Sequence, residues 1–258
     1  LFRSAVEDAL VDAPSGEVTQ RQSTTRFGLA AYNGVQAGCP EIDAVSPQLD
    51  AADEIASVFG MGMPSGANPV ADTLEQVTDD LVADPWDGPK TIVLVLGDEP
   101  STCAVPAPGN AVELAITRDA AEAAVVAAYA AGFPTVVVSV GDDVDPGFLQ
   151  VLANAGIDHQ AGDPDATFYV ALDDQQLADA FAEIFDPGRE CSFGLDTALP
   201  LELAPGCTVE VNGMAVDYDD PNGWSRPDEQ TVALQGTACE AIQQGDATVE
   251  MVCSCDDV

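Results

Sequence analysis

The chain is poor in positive charge. Its 258 residues carry 45 acidic side chains against seven Lys and Arg and a single His, for a formal net charge of −38. A surface of that sign repels phosphate backbones and anionic headgroups, so nucleic acid and lipid surfaces are set aside as partners. It favours cations, cationic partners or a salty medium. Long apolar runs are also lacking. The longest candidate, Ala120–Val140, is broken by Gly132 and Pro134 and reads as helix, turn, strand, so no membrane insertion is expected. No Walker loop, dinucleotide fingerprint or G-x-S-x-G elbow occurs. The lone His159 lies in a polar loop (GIDHQAGD) with no serine elbow to serve. Acid pairs are so frequent that none singles out glycoside chemistry. A non-enzymatic protein is expected.

Apolar residues make up 47% of the chain, enough for a packed core. The length fits one large domain or a medium domain with a smaller one. Seven cysteines stand at Cys39, Cys103, Cys191, Cys207, Cys239, Cys253 and Cys255. None forms a C-x-x-C pair, so a zinc site would be mostly thiolate and irregularly spaced. Disulfides are the better reading, which places the chain in an oxidising compartment, extracellular or on a cell surface. An odd count leaves one free thiol or one bridge to another chain. The chain opens in an amphipathic helix, LFRSAVEDALVD, with neither signal peptide nor initiator Met. It is expected to be a mature or trimmed product, or part of one.

Organisation changes once along the chain. Up to residue 187, apolar runs alternate with amphipathic helices. Arg26–Tyr32 (RFGLAAY), Thr91–Leu96, Thr135–Val140 (TVVVSV) and Thr167–Ala171 read as strands. The continuous apolar runs predict strands covered on both faces. Helices are predicted over residues 1–12, 49–59, 69–81, 117–131, 146–154 and 175–185, with Asn68 as an N-cap before Pro69. Residues 39–50 read as loop and short strand. This pattern predicts an α/β fold, a doubly wound and mostly parallel Rossmann-like sheet with helices on both faces. From residue 188 to 258 short alternating segments dominate and five cysteines cluster. That part is expected to be a small β-rich domain held by disulfides, with one short helix near Thr237–Gln243 and Trp224 in its core. Asp217–Gly223 superficially has the acids of a calcium loop, but Pro-Asn-Gly there reads as a turn.

Several segments of residues 1–187 resemble the von Willebrand factor type A domain family. They are RFGLAAY, SGANPVADTL, TIVLVLGDEPSTC, AAEAAVVAAYAAGFPTVVVSVGDD and FYVALDDQQLADAFAEIF. The Cys-rich end resembles tails on secreted bacterial members. The resemblance implies a rim at the carboxyl ends of the strands that holds Mg2+ or Ca2+ and meets a partner protein. Three loops make that cation site in the family. The D-x-S-x-S loop has no counterpart, because the chain starts in what should be the helix after it. Asn68 stands where the second loop has Thr. Where the third has T-D-G-E-P, this chain has Leu96-Gly97-Asp98-Glu99-Pro100, so the acid is displaced to Asp98. The implied site is degenerate, with Asn68 and Asp98 as its candidate ligands. Asn68, Asp98, Glu99 and Asp142 are the candidate partner-binding rim. Gly141–Asp145 lies on the same rim, where its acids also suit a helix N-terminus. Cys39 and Cys103 fall in loops near that rim and are expected to pair. Two bridges are expected among the remaining five cysteines.

The resemblance also implies that the family's central first strand is missing from residues 1–187. Three sources are open: upstream sequence, a cleaved segment that stays bound, or a strand donated by a neighbouring molecule. The functional expectation is a secreted or surface-exposed adhesion module that binds another protein. The alternative is a structural subunit of an extracellular fibre or surface assembly, built from copies of itself and completed by a donated strand.

Overall fold

The computed structural model describes residues 2–12, 15–35, 38–60, 66–160, 162–185, 191–195, 200–243 and 248–253. The chain divides into two compact units, Leu1–Ile184 and Phe185–Val258.

The first unit opens with helices α1 (Phe2–Val11) and α2 (Glu17–Arg21) and a long hairpin, β1 (Phe27–Val35) with β2 (Gly38–Gln48). Then follow α3 (Ala52–Gly60), α4 (Val70–Ala83), β3 (Ile92–Leu96), α5 (Ala111–Ala130), β4 (Thr135–Val140), α6 (Pro146–Gly156), β5 (Phe168–Ala171) and α7 (Asp174–Phe185). Strands β3, β4 and β5 form a parallel sheet in that order, with Ile92 opposite Thr135 and Val137 opposite Phe168. Strand–helix–strand alternation produces this arrangement, because a parallel neighbour is reached only through a crossover. The core lies between this sheet and helices α4, α5 and α6. Leu96, Ala121, Val125, Ala128, Val137 and Leu152 are fully buried there. Helix α6 comes very close to β4 at its last residue. A Cβ added to Gly156 would sit 2.1 Å from the Thr135 carbonyl oxygen, so only glycine fits.

The expectation for the first strand needs correction. The apolar run Arg26–Tyr32 predicts a strand of the parallel sheet covered on both faces. Instead β1 pairs antiparallel with β2 in a separate two-stranded sheet, and over residues 27–34 Phe27 is buried while its neighbours are half-buried or exposed. The run is apolar, but Gly28, Ala30 and Ala31 bring little area to bury, so the pattern overstated its coverage. The parallel sheet therefore has three strands among the described residues, and one continuous doubly wound sheet is not formed. Strand β2 is also longer than the loop and short strand expected over residues 39–50.

The second unit holds two three-stranded antiparallel sheets. Its strands are β6 (Ser192–Gly194), β7 (Cys207–Val211), β8 (Met214–Val216), β9 (Trp224–Asp228), β10 (Thr231–Leu234) and β11 (Val249–Cys253). One sheet has the order β6-β10-β9 and the other β11-β7-β8. A 3-10 turn (Leu201–Gly206) and helix α8 (Gly236–Gln243) complete it. Trp224 is 1% exposed at the centre of its core, beside Val209, Val211, Val232 and Leu234. Cys191–Cys239 and Cys207–Cys253 bridge the unit. These are the two bridges expected among the last five cysteines, and Cys255 lies outside the described residues. Asp217–Gly223 forms a turn: Gly223 donates its N–H to the Asp220 carbonyl, and Asp220 Oδ1 accepts the Asn222 N–H at 2.8 Å.

Candidate functional site

Parallel strands end together, so the residues after β3 and β4 share one rim of the sheet. Asp98 lies two residues beyond β3, and Asp142 two beyond β4. Both are exposed. The segment before α4 joins them there. Asn68 was expected to cap α4, but Pro69 holds the cap position and the Asn68 side chain makes other bonds. Its Nδ2 donates to the Asp98 carbonyl at 3.0 Å and, more weakly, to the Glu99 carbonyl at 3.4 Å. Its backbone carbonyl accepts the Ser101 N–H at 2.7 Å. Asn68 thus ties the entry of α4 to the exit of β3. Asp98 Oδ1 accepts the Glu99 N–H at 2.7 Å, which folds its carboxylate back on its own loop.

Glu99 is the hub of the rim. Arg118, about two turns into α5, places its Nε 2.9 Å from Glu99 Oε2, and its Nη2 donates to Oε1. The guanidinium also lies over the Phe148 ring, 5.0 Å from its centroid. Glu99 Oε1 accepts a third bond from the Asp145 N–H at 3.1 Å. Asp145 in turn caps α6 by accepting the Phe148 N–H at 3.0 Å. One carboxylate therefore links the β3 loop, α5 and the start of α6. The Glu99 contact holds the Arg118 guanidinium more firmly protonated than usual, against a smaller opposing effect of burial. Sequence reasoning missed Arg118. The available signal was its rarity, one cation on a helix among acids. Beside it, α5 and α6 line an open groove of about 460 Å³ with Ala111, Leu114, Arg118, Glu122, Phe148 and Val151.

The disulfide between Cys39 and Cys103 stitches the start of β2 to the loop that follows β3, across 64 residues of sequence. Near it, the Asp72 carboxylate accepts the Cys103 N–H at 2.9 Å. Two buried polar atoms here have no hydrogen-bond partner among the described residues, Asn33 Oδ1 and Ser101 Oγ.

A hard divalent cation needs several converging oxygens. Among the described residues no three His, Cys, Asp or Glu side chains converge in that way. Asn68 turns its N–H2 toward backbone carbonyls, Asp98 is engaged with its own loop, and Glu99 is occupied by Arg118. The residues of this rim do not fit a family-type cation site. No helix among the described residues is long and apolar enough to cross a membrane. His159 contacts the Asp163 carbonyl at 3.0 Å in its own loop.

No family model matches the chain, and no curated protein does. Its fold is similar to two crystal structures of the pilus adhesin SpaC from Lactobacillus rhamnosus GG, one of them in an open conformation. The TM-scores are 0.53 and 0.54, at 11% and 12% sequence identity. In both cases the alignment covers 91% of this chain and 34% of the adhesin, so the chain spans about a third of that protein's length. What the likeness shows is the shared mixed α/β fold.

Proposed function

We propose that this chain is a secreted or surface-exposed, non-enzymatic adhesion module of von Willebrand A type that binds another protein through the rim of its parallel sheet. The observation that carries the reading is the likeness of nine-tenths of the chain to a pilus adhesin. Three disulfides support an oxidising, extracellular setting. The rim is built on rigid elements, and Asn68 and Arg118 fix its loops, which lowers the entropy lost on binding. Its exposed acids, Asp98, Asp142 and Asp143, suit a cationic patch on a partner.

The test is a binding screen of the purified chain against an array of secreted and surface proteins, repeated with Asp98→Ala and with chelator. Binding that Asp98→Ala abolishes and chelator leaves intact is the expected result. A bound partner indifferent to substitution at Asp98 and Asp142 would remove the rim from the reading. The alternative reading, a subunit of an extracellular fibre, is favoured by the edge of β3 away from β4, which has no strand partner among the described residues. It predicts filaments in negative stain whether or not metal is present.

A further inference from the structure

The loop between α6 and β5 sets the chain's one histidine on a particular carbonyl. His159 Nε2 lies 3.0 Å from the Asp163 carbonyl oxygen. A carbonyl oxygen only accepts, so Nε2 carries the hydrogen. The amide of that carbonyl joins Asp163 to Pro164. Two properties make this amide weaker than most. The Asp163 carboxylate can close a five-membered ring on its own carbonyl carbon, an intramolecular attack with a high effective concentration. The Pro164 nitrogen belongs to a tertiary amide, which is more basic than a secondary one and leaves more readily in acid. Four other Asp-Pro bonds occur, after Asp84, Asp145, Asp186 and Asp220. With a single histidine in the chain, an imidazole serves the carbonyl of Asp163 alone.

The loop is pinned at both ends by Asn154, in the last turn of α6. Its carbonyl accepts the His159 N–H at 3.0 Å, and its Oδ1 accepts the Ala166 N–H at 2.8 Å. Its Nδ2 donates to Asp165 Oδ1 at 3.0 Å. Between these ends the turn closes on itself. Asp163 donates its N–H to the Gln160 carbonyl at 3.0 Å, and Asp163 Oδ2 accepts the Gln160 N–H at 3.0 Å. The imidazole is 19% exposed, whereas Asp163 and Pro164 are open to water. The titratable groups that face the ring are acids. Asp165 Oδ1 is 3.9 Å from Nε2, Asp158 and Asp163 share the loop, and α6 carries no charged residue.

We infer that Asp163–Pro164 is a self-cleavage site, opened in mild acid by the Asp163 carboxylate with His159 as the donor to the reacting carbonyl. A carboxylate oxygen bonds to the carbonyl carbon of its own residue. The oxyanion that forms meets the His159 Nε2–H. The carbonyl then re-forms and the C–N bond breaks. Its electron pair stays on the Pro164 nitrogen, which takes a proton from the acidic solution. The cyclic anhydride left on Asp163 takes up one water, so the net reaction is hydrolysis of one peptide bond. Imidazole gains its second proton in the mildly acidic range, and an imidazolium is the stronger donor. The carboxylate must stay ionised to attack, so the rate passes through a maximum. Cys39–Cys103 lies before the cut, and Cys191–Cys239 and Cys207–Cys253 lie after it, so none of the three spans it. In the parallel sheet the two pieces are then joined by the β4–β5 pairing, from Val137–Phe168 to Val140–Ala171. The step is a single self-modification without turnover, and it uses neither the rim nor a partner.

The test incubates the whole chain, disulfides intact and protease inhibitors present, at 37 °C from pH 4.5 to 7.5, and follows intact mass. Two fragments are expected, 1–163 and 164–258, whose masses sum to the chain plus one water. The second begins at Pro164. The rate is expected to be independent of protein concentration and to exceed cutting at Asp220–Pro221 in the same sample by about tenfold or more. His159→Gln is expected to slow the cut about tenfold or more, the effect of weakening one oxyanion donor, and to flatten its pH profile. Asp163→Asn removes the nucleophile and is expected to stop it. Glycine ethyl ester added during the reaction is expected to appear as an amide on Asp163 of the first fragment, which reports the anhydride. In 8 M urea the loop is unpinned, and the preference for Asp163 over Asp220 is expected to vanish. An uncut chain after a week with a native circular dichroism spectrum would overturn the inference. So would an equal rate in folded His159→Gln, a preference for Asp163 that persists in urea, or a rate that rises with protein concentration.

Discussion

Arg118 is one of seven basic side chains facing 45 acids, and its position decides how the rim holds together. Its fork on Glu99 is charge-assisted and half-buried, a geometry stronger than an exposed ion pair. Replacing it with alanine leaves the Glu99 carboxylate without its cation beside Asp98 and Asp145 and removes the contact over Phe148. Arg118→Ala is expected to cost about 1–3 kcal/mol in urea unfolding, and Arg118→Lys to recover only part of that, because an ammonium lacks the planar fork. A loss equal for Glu99→Gln and for the double variant would show that the two residues act as a pair. Lys90, the sole lysine, does similar work elsewhere. Its Nζ donates to the Leu81 carbonyl at 2.7 Å and lies 3.3 Å from Asp84 Oδ2. The Trp86 N–H foremost, and then Lys90, hold the Asp84 carboxyl below its ordinary value. A lowered folded value means the carboxylate stabilises fully above its unfolded pKa, about 4, and that contribution is lost as pH falls through the folded value. Thermal unfolding of Asp84→Asn between pH 2 and 6 is expected to show a shallower acid limb than the wild type. At this scale the sequence was partly legible. Asn68, Asp98 and Glu99 do come together, but the partner that organises them, Arg118, is distant in sequence and belongs to no motif. Residue type alone could not tell a capping amide from one that bridges two loops.

Elements were easier to read than their partners. The alternation of helices with apolar runs located β3, β4, β5, α4 and α6, because burial in a parallel sheet imposes a continuous apolar run. Helix α5 begins at Ala111, six residues before the expected start, where Asn110 accepts the Val112 and Glu113 N–H groups. The prolines upstream, Pro106 and Pro108, suggest a longer loop than the one that forms. Strand β2 was hidden for a related reason. Pro40 and Pro47 lie near its ends and argue against a strand, yet β2 has a single strand neighbour, β1, and an edge tolerates proline. The Cys39–Cys103 bridge anchors this hairpin to the loop beyond β3. Closing 64 residues of chain restricts the unfolded ensemble by about 4 kcal/mol in the chain-entropy model. The double variant Cys39→Ala, Cys103→Ala is expected to lose stability of that order in denaturant, with protease cutting first in residues 38–50. Unchanged stability would mean that the hairpin is held by other contacts.

For the whole molecule, charge is the dominant variable. With a net −38 on 258 residues, acids repel one another across distances that water alone does not screen. The Debye length is about 30 Å in 10 mM salt and about 8 Å at 0.15 M, so raising the salt between these limits removes most repulsion between separated carboxylates. The melting temperature is expected to rise by several degrees from 10 mM to 150 mM NaCl, and to rise less from there to 1 M. A protein with balanced charge would show little of the first rise. The same titration tests the rim. Asn68, Asp98 and Glu99 are engaged by backbone groups and by Arg118, so they have no common point at which to grip an ion. MgCl2 or CaCl2 at matched ionic strength is then expected to stabilise the chain smoothly, as diffuse screening does, without a step that saturates at one ion per chain. A saturating, stoichiometric step that Asp98→Ala removes would mean that a cation rebuilds the rim and displaces Arg118 from Glu99. Adhesion would then be metal-dependent, and chelator would abolish it.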